Sequence, residues 1–292
     1  MNSEKIKIIK KSDEAYPKIL KEISRPPEQL YIRGTLPKDS NLNIAIVGTR
    51  AATAYGRALA FNMAKELAGL GFNIVSGMAL GIDTEAHKGA LEAGGITVAV
   101  LGSGLDEKSL YPGENKKLAD KIVAAGGAVI SEYAPGTRGT NWTFPERNRI
   151  VSGLSRGVIV VEAPSKSGAL ITARLAAEQN REVFAMPGPL YSKNSAGPNE
   201  LIKNGAKMVT SVDDILEELN LVKLKKEKVK AEKENLSPEE KIIVSAIENE
   251  PVEVDKICQM TKIPVKNILS TISLLEIKGI IKSIGGKFVK IK

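Results

Sequence analysis

The fold is decided by the stretch Ile44-Ala45-Ile46-Val47-Gly48-Thr49-Arg50, in which a continuous apolar run meets a glycine, a hydroxyl and a cation. Four consecutive apolar residues predict a strand that is buried on both faces, as in a parallel sheet. The glycine lets the backbone turn sharply where the strand ends. Residues 57–70 follow with apolar positions at helical spacing. This succession of strand, polar turn and helix is the repeating unit of an α/β fold.

The same succession recurs along residues 43–219. Further apolar runs are Asn73-Ile74-Val75, Thr97-Val98-Ala99-Val100-Leu101, Ala128-Val129-Ile130, Val158-Ile159-Val160-Val161 and Val183-Phe184-Ala185. Segments with helical spacing, at 84–93 and 169–179, lie between some of these runs. The pattern predicts an extended Rossmann-like domain over residues 41–220, with a parallel sheet that helices cover on both faces.

Different patterns flank this domain. Residues 221–235 are rich in lysine and glutamate, which predicts a solvated linker. Three short helical segments near 238–248, 253–260 and 264–278 then precede two alternating segments that Gly285-Gly286 joins, which is a hairpin signal. Three helices and a hairpin predict a small C-terminal winged-helix domain over residues 236–292.

The charge of the chain is unevenly distributed. The net charge is +8, yet residues 41–220 carry 18 basic and 18 acidic residues. A basic surplus favours nucleic acid or another polyanion, but binding by the central domain must come from local clusters of cations. One cysteine excludes an internal disulfide framework, and neither a membrane-spanning run nor a signal-peptide pattern is present. We expect a cytoplasmic protein that does not act at a membrane.

Two polar turns after predicted strands are candidate phosphate sites. Gly48 and Thr49 offer backbone N–H groups and a hydroxyl, and Arg50 would add a charge-assisted contact. In the alternative interpretation the turn is only structural and its arginine forms a salt bridge. The run Leu101-Gly102-Ser103-Gly104-Leu105-Asp106 resembles half of a dinucleotide fingerprint, but Glu107 stands at the place of the third glycine. A NAD site is therefore the weaker interpretation.

Catalytic residues are sparse in this sequence. With one histidine, His87, and one cysteine, zinc sites and nucleophile–histidine pairs lack partners. Neither a P-loop nor a Gly-x-Ser-x-Gly elbow occurs. Asp83 and His87 are four residues apart and could pair, although a helix-capping Asp83 and a His87 bonded to nearby backbone are the simpler alternative. We expect a binding protein that is not an enzyme and that uses no cofactor or metal.

The most informative segment is Asn141-Trp142-Thr143-Phe144-Pro145-Glu146-Arg147-Asn148-Arg149-Ile150-Val151, which joins two aromatic residues to two arginines. Aromatic rings stack on unpaired bases and arginines hold backbone phosphates, so the combination suits single-stranded nucleic acid. In the alternative, Trp142 and Phe144 are core residues, and Arg147 and Arg149 are buried salt-bridge partners.

Taken together, these motifs resemble the DNA-processing protein A (DprA/Smf) family. The matching runs appear in order over residues 41–212, which makes the series far more specific than any single motif. They are Val47-Gly48-Thr49-Arg50 with Tyr55-Gly56, Ser76-Gly77-Met78-Ala79-Leu80-Gly81-Ile82-Asp83 with Ala86-His87, Val100-Leu101-Gly102-Ser103-Gly104-Leu105-Asp106, Tyr111-Pro112, Ser131-Glu132-Tyr133, Phe144-Pro145-Glu146-Arg147-Asn148-Arg149-Ile150, Ser167-Gly168-Ala169-Leu170-Ile171-Thr172-Ala173 and Pro187-Gly188.

The resemblance implies an extended Rossmann fold that binds single-stranded DNA, forms a homodimer and delivers the DNA to the RecA recombinase, notably in natural transformation. It implies a DNA pocket around the Gly48-Thr49-Arg50 loop and Phe144. The predicted DNA-binding residues are Gly48, Thr49, Arg50, Gly102, Ser103, Gly104, Lys116, Asn141, Phe144, Arg147, Asn148 and Arg149.

The chain also departs from the family pattern. Gly113 and Asn141 stand where members often carry lysines, and Lys116, Lys117 or Arg138 are candidate replacements for the missing charges. Many members have a small helical domain at the N-terminus, and residues 1–40 are expected to be an N-terminal extension that holds an incomplete copy of it.

Several functional questions stay open at this level. The third predicted helix of the winged-helix domain has few side chains that could read base edges, so a protein contact or weak DNA binding is favoured over operator recognition. Apolar Leu201, Ile202 and Met208 are candidates for the dimer surface. The alternative functions are a phosphoribohydrolase resembling the lysine-decarboxylase-like enzymes, with Glu178 as its glutamate, and a transcription factor that acts through the winged helix.

Overall fold

The computed structural model describes residues 6–38, 42–224, 236–247, 251–277 and 280–290. The chain divides into two compact units, Met1–Val222 and Lys223–Lys292. The boundary lies close to the predicted domain limit at residue 220, and most of the predicted linker, residues 225–235, lies outside the described residues.

A nine-stranded mixed sheet forms the centre of the large unit, with strand order β1-β2-β6-β5-β4-β3-β7-β8-β9. The strands are β1 (Lys7–Lys10), β2 (Gln29–Gly34), β3 (Asn43–Val47), β4 (Asn73–Ser76), β5 (Thr97–Leu101), β6 (Ala128–Ser131), β7 (Gly157–Val160), β8 (Glu182–Ala185) and β9 (Lys207–Met208). From β6 to β9 every neighbouring pair is parallel. The α/β fold and all six predicted strands are confirmed.

The helices of this unit alternate with its strands. They are α1 (Lys18–Lys21), α2 (Ala54–Gly69), α3 (Ile82–Glu92), α4 (Lys116–Ala124), α5 (Thr143–Gly153), α6 (Gly168–Glu178), α7 (Ala196–Lys203) and α8 (Val212–Glu218). Helix α2 illustrates why they form: the Thr53 side chain caps its first turn by accepting a hydrogen bond from the Gly56 N–H at 3.0 Å. Its buried face carries alanines and Leu67, which lets the helix approach its neighbours closely.

The strand order reverses between β3 and β7. The chain runs outward from β3 through β4, β5 and β6 on one side, and from β7 through β8 and β9 on the other. Ile44 of β3 therefore has Ile74 of β4 on one side and Gly157 of β7 on the other. In open α/β sheets such a reversal leaves a crevice at the carboxyl ends of the two strands, and ligands bind there.

Residues 6–38, the described part of the segment 1–40 that was expected to be an incomplete helical domain, take another form. Strand β1 pairs antiparallel with β2, and β2 pairs antiparallel with β6, so the segment extends the sheet of the large unit. Within the described part, residues 6–38, the helical content is the single turn α1. Leu30 and Ile32 of β2 are buried in the main core. The expectation of a helical domain was wrong, because alternating apolar residues form an added strand where a sheet edge is available to pair with.

The small unit has the predicted winged-helix elements. They are α9 (Pro238–Ala246), α10 (Val254–Thr261), α11 (Val265–Ile277), β10 (Ile281–Ile284) and β11 (Lys287–Lys290). A capping box starts α9: Ser237 Oγ accepts from the Glu240 N–H at 3.2 Å and Glu240 Oε2 accepts from the Ser237 N–H at 2.8 Å. Gly285 and Gly286 have φ values of 57° and 80°, the left-handed conformation that a tight hairpin turn needs.

The core of the small unit is a separate apolar cluster that includes Ile243, Ile257, Ile268, Leu275 and Ile281.

Among the helices that the structure describes, in either unit, none has the length and apolarity that a membrane span requires.

Candidate nucleic-acid interface

A cleft of about 430 Å³ opens at the point where the strand order reverses. Its walls come from the segments that follow β3, β4 and β7 and from the first turns of α5 and α6. The lining residues are Val47, Gly48, Thr49, Arg50, Ala51, Gly77, Ala79, Asp83, Asn141, Phe144, Pro145, Arg147, Asn148, Val151, Pro164, Lys166, Ser167, Gly168, Ala169 and Thr172. The cleft thus contains seven of the twelve predicted site residues: Gly48, Thr49, Arg50, Asn141, Phe144, Arg147 and Asn148.

The turn after β3 is packed tightly into the wall. A Cβ atom on Gly48 would lie 2.5 Å from Cγ1 of Ile82 and 2.8 Å from the carbonyl oxygen of Glu162, so glycine is required there. The Thr49 N–H donates to that carbonyl at 2.7 Å, and the Thr49 hydroxyl oxygen accepts from the Ala51 N–H at 3.2 Å. Thr49 is buried, whereas Arg50 is exposed. Gly48 and Thr49 therefore position the turn, and Arg50 is the part that reaches into the cleft.

Arg50 lies over an aromatic ring. Its guanidinium carbon is 5.2 Å from the centroid of the Phe144 ring, which is cation–π distance. The Phe144 ring is also 5.5 Å from that of Tyr111, at an interplanar angle of 39°. Cβ atoms on Gly102 and Gly139 would lie 2.9 and 2.8 Å from the Phe144 ring. The two glycines therefore make room for the aromatic residue, which is the role that the structure shows for Gly102.

The floor of the cleft contains a buried arginine. Arg147 donates hydrogen bonds to the carbonyl oxygens of Gly77, at 2.8 Å, and of Val100, so it ties together the ends of β4 and β5. Asn148 accepts a further hydrogen bond from Arg147 Nε at 3.1 Å. Burial lowers the pKa of Arg147 to about 10, against the attraction of Asp83. Arg147 holds the backbone on which the cleft is built.

Asp83 faces the same buried space. Its Oδ2 accepts from the backbone N–H groups of Gly77, at 3.0 Å, and Ala79, at 3.3 Å. Burial raises the pKa of Asp83 to about 6, against the charge of Arg147 and the backbone hydrogen bonds. The carboxylate binds the turn that precedes α3 and does not cap the helix, whose N-cap residue is Gly81. The capping interpretation of Asp83 was wrong.

His87 lies one turn further along α3 and is fully buried. Its Nδ1 is 2.7 Å from the hydroxyl oxygen of Thr97, and that hydroxyl donates to the carbonyl oxygen of Ile74 at 2.7 Å. The Thr97 oxygen therefore accepts a hydrogen bond from the Nδ1–H group of His87. Burial, with a smaller contribution from Arg147, lowers the pKa of His87 to about 3, so the ring is neutral. His87 is bonded to a threonine, and the alternative of an Asp83–His87 pair does not describe this structure.

The five other predicted site residues lie outside the cleft lining. Ser103 is fully buried, and its carbonyl oxygen accepts from the Ser131 hydroxyl at 2.7 Å. Arg149 is buried in ion pairs with Glu132, at 2.6 Å, and Glu146, at 3.2 Å. Both residues therefore make contacts within the protein, and for Arg149 these contacts are the buried salt bridges of the alternative interpretation. Gly102, Gly104 and Lys116 complete the set, and a role of any of the five in binding DNA stays a prediction.

Lys166 and Ser167 line the cleft but were not predicted. They follow β7, the strand next to β3, and Ser167 caps α6 by accepting from the Ala169 N–H at 3.3 Å. Lys166 is exposed, and among the described residues it has no ion-pair partner. The signal that could have found both residues is their place after a buried apolar run, since the carboxyl ends of parallel strands share one edge.

The structure also places the residue on which the phosphoribohydrolase alternative depends. Glu178 is the last residue of α6 and pairs with Arg174 at 3.5 Å, on the exposed surface. The residues that line the cleft at the other end of α6 are Gly168, Ala169 and Thr172. Among the described residues, no group of three or more acidic, histidine or cysteine side chains could hold a metal ion.

Comparison with known proteins identifies the family. The model of DNA recombination-mediator protein A matches residues 7–220, and that of the DprA winged helix domain matches residues 227–287. Protein Smf of Escherichia coli is 37% identical over 98% of this chain and 77% of its own length. DNA processing protein DprA of Bacillus subtilis is 46% identical over 71% of this chain and 69% of its own.

Solved structures agree with these matches. DNA processing protein A from Streptococcus pneumoniae superposes with a TM-score of 0.69 at 44% identity, covering 73% of this chain and 74% of that one. The protein from Helicobacter pylori, whose structure describes a single-stranded DNA binding mode, has a TM-score of 0.64 at 33% identity, covering 73% of this chain and 96% of that one. The chain belongs to the DprA/Smf family of DNA-processing proteins.

Proposed function

We propose that this protein binds single-stranded DNA in the cleft at the carboxyl edge of its sheet and passes it to the RecA recombinase, without catalysing a reaction itself. Arg50 lying over Phe144, at the reversal of strand order, is the observation that carries the proposal. A guanidinium plane on an aromatic ring offers both a stacking surface for an unpaired base and a charge for its phosphate.

Charge in the cleft supports this proposal although the domain is neutral overall. Arg50 and Lys166 are exposed on the lining, whereas its acidic residue, Asp83, is buried and bound to backbone N–H groups. We call the exposed part of the lining, with Arg50 and Lys166, the rim of the cleft. A phosphate at this rim meets cations before it meets a carboxylate. The first turn of α6 adds backbone N–H groups that favour an anion.

The proposed absence of catalysis rests on the same cleft. The hydroxyl oxygen of Thr49 accepts a hydrogen bond from a backbone N–H group of its own turn, and that of Ser167 accepts one from a backbone N–H group of α6. His87 is buried beside Thr97 and is not among the lining residues. Within the cleft as described, no hydroxyl or thiol is paired with a base, which nucleophilic catalysis requires.

The partners are proposals drawn from the family. We propose a cytoplasmic homodimer that acts with RecA in the uptake of DNA by natural transformation. Strand β9 is the edge of the sheet, and its Met208 is 49% exposed, which supports the segment around Leu201, Ile202 and Met208 as the dimer surface. Light scattering at micromolar concentration should give twice the chain mass, and a monomer would contradict the assignment.

The winged-helix unit is proposed to contact protein more than DNA. Its third helix, α11, exposes Val265, Leu269 and Leu274 together with Lys266 and Asn267. Apolar side chains are poor readers of base edges, which require hydrogen-bond donors and acceptors.

The function is tested by Arg50→Ala in a fluorescence-anisotropy titration with labelled oligothymidine. Arg50 is exposed, so the melting temperature should not change, whereas single-strand affinity should fall about tenfold to a hundredfold. We expect the upper end, because Gly113 and Asn141 replace cations that could have shared the task. Wild type should bind duplex DNA more weakly than the single strand.

Arg174→Ala is the matched control, since Arg174 is an exposed arginine on α6 outside the cleft. Wild-type binding to duplex DNA that equals or exceeds binding to single-stranded DNA would refute the proposed function. Unchanged affinity of Arg50→Ala would place the DNA site elsewhere.

A further inference from the structure

We propose that Trp142 is a second stacking platform, which takes the nucleobase next to the one held at Arg50 and Phe144. The inference rests on the proposed function and extends the site beyond the cleft. Trp142 is not a lining residue, although Asn141 before it and Phe144 and Pro145 after it are. The indole therefore stands at the rim, where a strand that leaves the cleft would pass.

The exposure of this side chain is unusual for its size. Trp142 is 87% exposed, whereas Phe144, two residues later, is partly buried against Tyr111. A large apolar ring held in water loses the free energy that burial would supply, and tryptophan is enriched among the residues that contribute most to binding interfaces. The two rings belong to one helical turn but occupy different surroundings, so a single base cannot stack on both. Neighbouring bases of one strand can.

The backbone that carries Trp142 is held by reciprocal hydrogen bonds. The Thr140 hydroxyl oxygen accepts from the N–H groups of Trp142, at 3.3 Å, and Thr143, at 3.2 Å. In return, the Thr143 hydroxyl oxygen accepts from the Thr140 N–H at 2.8 Å. The carbonyl oxygen of Trp142 accepts from the Glu146 N–H at 3.3 Å and so joins α5. Stacking on a platform fixed in this way costs little conformational entropy, because the backbone is already ordered.

The charges near Trp142 suit a nucleobase with its phosphate. Arg138, in the segment that leads to α5, is exposed, and among the described residues it has no ion-pair partner. The nearby carboxylate, Glu146, is bound by Arg149 at 3.2 Å and Arg25 at 3.5 Å, so its repulsion of a phosphate is offset. Exposed Asn141 adds an amide that can bond to a base edge or a sugar. These surroundings favour a nucleotide over an apolar protein surface as the occupant.

Trp142 is the one tryptophan of the chain, so its fluorescence reports directly on this position. Oligothymidine should quench the emission of wild type with the same dissociation constant that anisotropy gives. An abasic oligonucleotide of equal length should bind through its phosphates without quenching, because stacking needs a base. Trp142→Ala should bind oligothymidine about tenfold more weakly, and Trp142→Phe should keep most of the affinity.

The salt dependence separates stacking from charge. The slope of log affinity against log salt should be the same in Trp142→Ala and wild type, since no phosphate contact is removed. Tyr191→Ala is the matched control, because Tyr191 is fully exposed and outside the cleft lining, and it should bind like wild type. An equal loss in Tyr191→Ala would overturn the inference, as would a Trp142→Ala variant that is monomeric where wild type is dimeric.

Two failures remain distinguishable. If wild type binds oligothymidine while its emission and the affinity of Trp142→Ala stay unchanged, the platform is refuted and the cleft stands. If wild type does not bind single-stranded DNA, the proposed function itself fails.

Discussion

Two arginines at the same cleft differ in burial, and the difference separates a guanidinium that holds the backbone from one that is open to a ligand. Arg50 is exposed and lies over Phe144, 5.2 Å from the ring centroid. Arg147 is 5% exposed and donates to the carbonyl oxygens of Gly77 and Val100. Both line the cleft. A guanidinium whose donors are already satisfied by backbone cannot hold a phosphate without breaking the loops around it, whereas an exposed one can.

The contrast extends to the acidic groups. Asp83 shares the buried space of Arg147 and binds two backbone N–H groups, so this charge pair organises the turn after β4. The rim, with Arg50 and Lys166, has no such carboxylate on its lining. The floor of the cleft is therefore held by buried contacts, and under the proposed function the exposed rim supplies the affinity for DNA.

Arg147→Met tests the structural role of the buried arginine, and we expect it to have a larger effect than the other substitutions. The variant leaves the carbonyl groups of Gly77 and Val100 without their donor and leaves Asp83 without its cation. Removing one partner of a buried charged network costs about 3–5 kcal/mol. Urea unfolding should show this loss of stability, and single-strand binding should fall as a consequence.

The control for that experiment is Arg174→Met, which removes an exposed arginine and should leave the urea midpoint unchanged. If Arg147→Met were as stable as wild type and yet lost DNA binding, Arg147 would be a ligand contact and the division between floor and rim would fail.

A second prediction concerns pH. Burial raises the pKa of Asp83 to about 6, so its contribution to stability is complete at low pH and is lost as pH rises through 6. Burial lowers the pKa of His87 to about 3, so its contribution is complete above the ordinary histidine pKa and is lost as pH falls toward 3. Between about pH 4 and 6 the two slopes oppose each other, each amounting to about 1.4 kcal/mol per pH unit.

Single substitutions should reveal each pH dependence of stability separately. Relative to wild type, Asp83→Asn should gain stability as pH rises over this range, because the histidine dependence is left unopposed. His87→Gln should lose stability as pH rises. Urea unfolding of the full chain in steps from pH 4 to 6 measures both, and parallel curves for all three proteins would show that neither group titrates differently in the folded chain.

The smallest expected effect compares two lysines. Lys166 lines the cleft, whereas Lys116 starts α4 outside the lining. Lys166→Ala should reduce the salt slope of single-strand binding by about 0.7, the value for one phosphate contact. From the cleft geometry we expect Lys116→Ala to leave the slope unchanged. The reverse result would shift the DNA path toward α4 and would support Lys116 as a replacement for the missing lysines.

Much of the fold could be predicted, because its central strands are buried on both faces and show as continuous apolar runs. Each predicted strand and helix of the central domain agrees with the structure to within a few residues. Strands β1, β2 and β9 were not predicted. The four residues of β1 and the two of β9 are too short for a periodic pattern, and β2 becomes a strand through antiparallel pairing with β6, which is distant in sequence.

The candidate site was predicted in part for a similar reason. Position after a buried strand identified Arg50, and the aromatic and basic composition of the segment around Phe144 identified that residue. The same composition also led to the prediction that Arg149 binds DNA, whereas the structure places Arg149 in a buried ion pair with Glu132. Local sequence indicates which residue types are present, but it does not indicate which of them find a partner across the fold.

The alternation of strands and helices and the caps that begin α2 and α9 can be read from the amino-acid sequence, because they depend on residues close together in the chain. The need for glycine at position 48 is tertiary, because a Cβ atom there would meet Ile82 and the carbonyl oxygen of Glu162. The position of β7 beside β3 depends on long-range strand pairing, and this pairing brings Lys166 to the same cleft as Arg50. The fold also buries Arg147 against backbone carbonyl groups and leaves Arg50 exposed over Phe144. Burial and charge compensation are sums over neighbours that the fold brings together, so they are not properties of a residue within its own segment.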